Sequence, residues 1–278
     1  MDADKLFDQI IKKKSFLCIG LDPDEDKIPS HLFKHEDPIF EFNKAIIDAT
    51  HDLVVACKPN LAFYEALGTR GLVSLEKTTN YIKENYPEIL QIADAKRGDI
   101  GNTAKMYAKS IFEHFQFDAV TLAPYMGKDS ITPFLEYEDK WVVILGATSN
   151  PGAEDFQLVK TEHGKPFFME VIEKSSKWAD ENSLMFVAGA TRPQILKEIR
   201  QIIPDHFLLV PGVGAQGGNL QDVAENGINS KCGLLINSSR GIIYAGNDEH
   251  FAQDARIAAH DLQDQMKEIL VNHNLTNA

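Results

Sequence analysis

The sequence predicts an α/β fold, a single (β/α)8 TIM barrel spanning residues 1–278, from eight short apolar runs, the helical spacing between them and the charged or polar residues that end most of them. Parallel strands covered by helices are buried on both faces and so read as nearly unbroken apolar runs. Core-facing helices instead place apolar residues three and four apart. Eight βα units in about 250 residues, with no Pro- or Ser-rich linker between them, fit one closed barrel. A doubly wound open sheet is the alternative, disfavoured because such sheets usually stop at about five to seven strands.

In chain order the runs are Phe16 to Asp22, Leu53 to Lys58, Ile89 to Lys96, Ala119 to Pro124, Trp141 to Ser149, Leu184 to Thr191, Phe207 to Val213 and Gly233 to Arg240. Between the third and fourth, Ala104, Ala108, Ile111, Phe112 and Phe115 share one helical face; after the eighth, Phe251, Ala255, Ala258, Leu262, Met266 and Ile269 do the same. After the fifth run, residues 150–165 (NPGAEDFQLVKTEHGK) are too long and polar for an ordinary βα connection. In a barrel this insertion falls on the active-site face, as a surface excursion or a lid.

Composition narrows the function. The chain has 44% hydrophobic and 25% charged residues, which is ordinary globular composition and excludes disordered and fibrous classes. With 28 Lys+Arg against 41 Asp+Glu its net charge is −13, so its field repels nucleic acid and anionic membranes, and a small anion needs a local basic pocket. No apolar run approaches the roughly 20 residues of a spanning helix, and residues 1–14 lack a signal-peptide core. Cys18, Cys57 and Cys232 are odd in number and far apart, with no CxxC pair. A cytoplasmic protein with no metal site is expected.

A barrel carries its chemistry where strands end. The first run ends in Asp22, the second in Lys58, and the third in Asp94-Ala95-Lys96-Arg97-Gly98-Asp99, a DxKxxD pattern. Asp94 and Lys96 are two apart on a strand and share a face, while Asp99 lies past the strand and can turn either way. Charged side chains are rarely buried unless paired, so an ion network is expected, structural if isolated but a candidate site with Lys58 and Asp22 beside it. The loops of runs seven and eight, PGVGAQGG (Pro211 to Gly218) and NSSRG (Asn237 to Gly241), suit a phosphate, with Gln216 and Arg240 as side-chain ligands. Gly212, Gly214 and Gly217 also match GxGxxG, but no acidic residue follows at the dinucleotide-binding distance, where the chain reads Leu235 to Ser238.

Residues 94–103 (DAKRGDIGNT) resemble the DxKxxDIxNT signature of the orotidine 5′-phosphate decarboxylase family. Gly20 to Asp24, Lys58-Pro59-Asn60, Ala147 to Pro151 and Pro211 to Gly218 resemble its longer bacterial branch. The resemblance implies a homodimer that converts orotidine 5′-monophosphate to UMP and CO2 without metal or organic cofactor. It implies Lys96 as proton donor to C6, flanked by Lys58, Asp94 and Asp99, with Asp99, Ile100 and Thr103 given by the partner protomer. Asp22 and Lys58 would then hold the ribose, Ser149 the pyrimidine amide, Pro211 a wall of the base pocket, and Gln216 with Arg240 the phosphate. Thr148 exchanges roles with Ser149 if the strand register slips by one. The rival readings are a metal-dependent sugar-phosphate aldolase or decarboxylase reusing DxKxxD, and a non-catalytic nucleotide-binding barrel.

Overall fold

Each of the eight apolar runs contributes one strand in the computed structural model, which describes residues 1–213 and 217–276. The strands are β1 (Leu17–Leu21), β2 (Ala56–Pro59), β3 (Leu90–Arg97), β4 (Ala119–Leu122), β5 (Trp141–Ala147), β6 (Leu184–Ala188), β7 (Leu208–Pro211) and β8 (Leu234–Ser238). Every strand pairs in parallel with the next, and β8 returns to β1 with Cys18 opposite Asn237, closing the barrel. Closure removes the open-sheet alternative. It also leaves no strand edge for another chain to pair with.

Burial follows the apolar pattern. All five residues of β1 and all five of β6 are buried, as expected for strands with side chains inside the barrel on one face and a helical layer on the other. The helix Phe251–Asn272 packs on Pro38–Thr50, where the Phe42 and Phe251 rings stack at 5.3 Å. The latter helix starts on Asp37, whose side chain accepts from the Phe40 N–H, with Pro38 in the first turn where its missing N–H costs nothing. The stretch 104–115 is helical as its spacing predicts, but ends in a π-helical turn at Ser110–His114.

A helix outside the eight units, Ala3–Lys13, buries Leu6 and Ile10. Contacts at the starts of strands hold it: the Trp141 indole N–H donates to the Met1 carbonyl, and Lys231 pairs with Asp4. It therefore lies at the amino-end mouth, leaving the carboxyl-end face for the site. No described helix is long and apolar enough to cross a membrane.

Residues 150–165 form a turn, the short helix Ala153–Phe156 and a reversal closed by an antiparallel bridge between Lys160 and Pro166. The first residues of this excursion face the crevice described below.

Candidate active site

The charged strand ends converge. Asp94 is the hub: its Oδ2 accepts from Lys58 Nζ at 2.9 Å, and its Oδ1 accepts from Lys96 Nζ at 2.5 Å and from the Thr121 hydroxyl at 3.0 Å. Lys58 and Asp94 are buried, whereas the Lys96 side chain is half exposed, with its ammonium at the cavity wall. Burial alone would raise the Asp94 pKa, but Lys58 and Lys96 outweigh it and bring the carboxyl down to about 2. Burial likewise disfavours the Lys58 ammonium, yet Asp94 and then Asp22 hold its pKa above the ordinary lysine value. Two ammonium groups on one carboxylate make this strand end a poor seat for a divalent cation.

Local backbone geometry places Lys96. The register of β3 against β4 shifts between Ala93 and Arg97, and Lys96 takes a left-handed conformation with φ +47°. A non-glycine residue held there costs roughly 1–3 kcal/mol, which the surroundings must offset. Thr121 of β4 is the brace: its hydroxyl oxygen accepts from the Lys96 N–H at 3.0 Å while donating to Asp94. The bulge turns Lys96 outward into the cavity without breaking its contact with Asp94.

Around this hub lie two lobes of one crevice, about 550 and 400 Å3, sharing Lys58, Asp94 and Pro211. The first has apolar walls from Leu145, Val187 and Leu209 and a polar rim that includes Thr148, Ser149 and Asn150. The second is lined by Asp22, Asn60, Asn237, Ser239 and Arg240. Gly20 permits the second lobe's shape, since a Cβ there would lie 1.6 Å from Ser239 Oγ. Asp22 accepts from the Asn60 N–H at 3.2 Å. The Tyr244 hydroxyl pins the loop after β1, donating to the Asp22 carbonyl at 2.8 Å and accepting from the Asp24 N–H at 2.7 Å.

Of the residues named from sequence, Lys58, Asp94, Lys96, Asp22, Ser149, Pro211 and Arg240 line this crevice. Arg240 is exposed, and its guanidinium pairs with no group among the described residues. Asp99, Ile100 and Thr103 do not line it: all three are exposed, and Asp99 turns away to accept from the Ile100 N–H at 2.8 Å. Gln216 lies outside the described residues. Thr121, Tyr244 and Gln157 were not singled out from sequence, and no local pattern marks them. His31 and His35 have the i, i+4 spacing of paired helix ligands, but the turn there is a 3-10 helix, where that spacing does not align side chains. No group of three His, Cys, Asp or Glu residues able to hold a metal occurs among the described residues.

A closed parallel barrel with an ion network and a deep crevice at the carboxyl ends of its strands has the form of a (β/α)8-barrel enzyme. The chain belongs to the orotidine 5′-phosphate decarboxylase / HUMPS family, whose model matches residues 15–255. It is 57% identical over 270 residues to an orotidine 5′-phosphate decarboxylase of Bacteroides fragilis, covering 97% of this chain and 98% of that one. A Flavobacterium johnsoniae protein of the same name is 58% identical over 270 residues, with the same coverage of 97% and 98%. Among solved structures, OMP decarboxylase of Leishmania donovani superposes with a TM-score of 0.83 at 34% identity, covering 97% of this chain and 99% of that one.

Proposed function

We propose that the chain decarboxylates orotidine 5′-monophosphate to UMP and CO2, with Lys96 delivering the proton that replaces the carboxyl group at C6. The observation that carries this reading is Asp94 held between two ammonium groups where the two lobes meet. The apolar lobe suits a pyrimidine with Ser149 at its amide edge and Pro211 as a wall. The polar lobe suits ribose and phosphate, with Asp22 and Lys58 on the sugar hydroxyls and Arg240 with Gln216 on the phosphate.

In the reaction the C6–carboxylate bond breaks, CO2 leaves and the electron pair remains on C6. A proton from Lys96 Nζ then forms the C6–H bond, and the lysine recovers its proton from solvent. An ammonium about 4 Å from the developing charge, at an effective dielectric near 20, contributes roughly 4 kcal/mol, about three decades in rate. Asp94 opposes the substrate carboxylate, and that repulsion is relieved as CO2 departs. Binding of the distant phosphate supplies free energy for closing loops over the base.

The site is completed in a homodimer, with Asp99, Ile100 and Thr103 entering the partner's crevice. Their outward orientation supports this, as do the exposed apolar side chains Ile100, Met106, Tyr125 and Met126 on the segments following β3 and β4, where Tyr125 is 87% exposed. Three free, buried cysteines suit a reducing compartment, which supports placing the reaction in the cytoplasm. The test is the reaction in deuterated water: one CO2 per UMP and deuterium at C6 are expected. Loss of orotidine monophosphate without UMP, or no loss at all, would overturn the proposal.

A further inference from the structure

The contacts at the end of β5 point to a role for the 150–165 excursion, and we infer that Gln157 is a positioning residue that decides which of two adjacent hydroxyls faces the pyrimidine. Thr148 and Ser149 both lie on the rim of the apolar lobe. Their hydroxyls differ in what they touch. Gln157 holds Thr148 at two points: its Oε1 accepts from the Thr148 N–H at 2.8 Å, and its Nε2 donates to Thr148 Oγ1 at 2.8 Å. Thr148 Oγ1 in turn donates to Asn150 Oδ1 at 2.6 Å, so this hydroxyl is occupied in both directions. The Ser149 hydroxyl is buried and has no hydrogen-bond partner among the described residues. A buried hydroxyl left unpaired carries a desolvation penalty that a pyrimidine amide at that place would relieve.

The clamp is itself anchored. The Gln157 carbonyl accepts from the Phe168 N–H at 3.0 Å and its own N–H donates to the Ala153 carbonyl at 2.9 Å, tying it to the helix Phe167–Ser175 and to the short helix before it. From the other side Gly189 gives Ser149 its room: a Cβ at that glycine would lie 2.1 Å from Ser149 Oγ and 2.9 Å from Ser149 N. A register slip of one residue, which would exchange the two hydroxyls, must break both Gln157 contacts. The excursion is thus a brace for the base-reading strand end, with Gln157 touching no substrate atom.

This inference rests on the decarboxylase reading, and the test separates the two. Gln157→Met keeps the side chain's length and removes both contacts to Thr148. It is compared with the parent, Ser149→Ala and the double variant, measuring kcat/KM for orotidine monophosphate, UMP affinity and inhibition by ribose 5-phosphate. Expected are a drop of about 10-fold or more in kcat/KM and UMP affinity for Gln157→Met, unchanged ribose 5-phosphate inhibition, and less than a further twofold loss when Gln157→Met is added to Ser149→Ala. Losses that multiply in the double variant, a Gln157→Met enzyme within twofold of the parent, or ribose 5-phosphate inhibition weakened as much as UMP binding would each overturn it. A parent with no decarboxylase activity would refute the functional reading, and this inference with it.

Discussion

Replacing Asp94 with asparagine removes the charge on which Lys58 and Lys96 converge. The carboxyl titrates at about 2 in the folded chain against an ordinary 3.8, because the two lysines outweigh the effect of burial. At about 1.4 kcal/mol per pH unit between those values, the ionised group contributes roughly 2 kcal/mol at neutral pH. Since the folded value lies below the unfolded one, that contribution is present above pH 3.8 and is lost as the pH falls through about 2. About 1 kcal/mol is already gone by pH 3. Substitution goes further than protonation, because it leaves the Lys58 ammonium buried with no carboxylate in contact. Removing one partner of a buried pair typically costs about 3–5 kcal/mol, and the larger figure applies here. At about 2 °C per kcal/mol for a chain of this size, Asp94→Asn lowers Tm by roughly 6–10 °C. Urea and thermal unfolding of both proteins from pH 7 to pH 3 reads this directly. An asparagine variant as stable as the parent at pH 7, or a gap that stays constant down to pH 3, would refute the ion-network reasoning.

Arg240→Ala removes the exposed guanidinium assigned to the phosphate and should raise KM for orotidine monophosphate about 10- to 100-fold, as expected for a charge-assisted contact. Steady-state kinetics checks this, and an unchanged KM with lost kcat would contradict a role in simple binding. Mixing inactive Asp99→Ala and Lys96→Ala proteins should restore activity, because each hybrid dimer then holds one site with both native residues. Hybrids shown to form but remaining silent would rule out a shared site. His206 is half buried, both ring nitrogens lack hydrogen-bond partners among the described residues, and burial lowers its pKa. Its folded value lies below the unfolded one, so the parent should lose stability as the pH falls below about 6.5. His206→Leu should flatten that slope in unfolding curves between pH 7.5 and 5, and an identical slope in both would contradict it.

The strands and the central charges were legible because both follow from short-range periodicity. Unbroken apolar runs mark strands buried on two faces, and the two-residue spacing of Asp94 and Lys96 puts both on one face, where they meet. What supports them was not legible. Thr121 braces Lys96 from 25 positions away and Tyr244 pins the β1 loop from 222 positions away, contacts that no local pattern encodes. The left-handed backbone of Lys96 arises from a bulge against β4 and leaves no mark in its own side-chain type. Asp99 could turn either way from sequence, and it turns outward to its neighbour's N–H. The amino-terminal helix shows an amphipathic face, but its place across the barrel mouth depends on Trp141 and Lys231.

The role of Lys96 is tested most directly by following the absorbance of orotidine 5′-monophosphate after exhaustive EDTA treatment, with Lys96→Ala run beside the parent. The parent should turn over at a rate unaffected by EDTA, and Lys96→Ala should fall by about three decades or more while still binding UMP. A parent silenced by EDTA and restored by a divalent cation, or Lys96→Ala turning over as fast as the parent, would contradict a metal-free decarboxylation with this lysine as the proton donor.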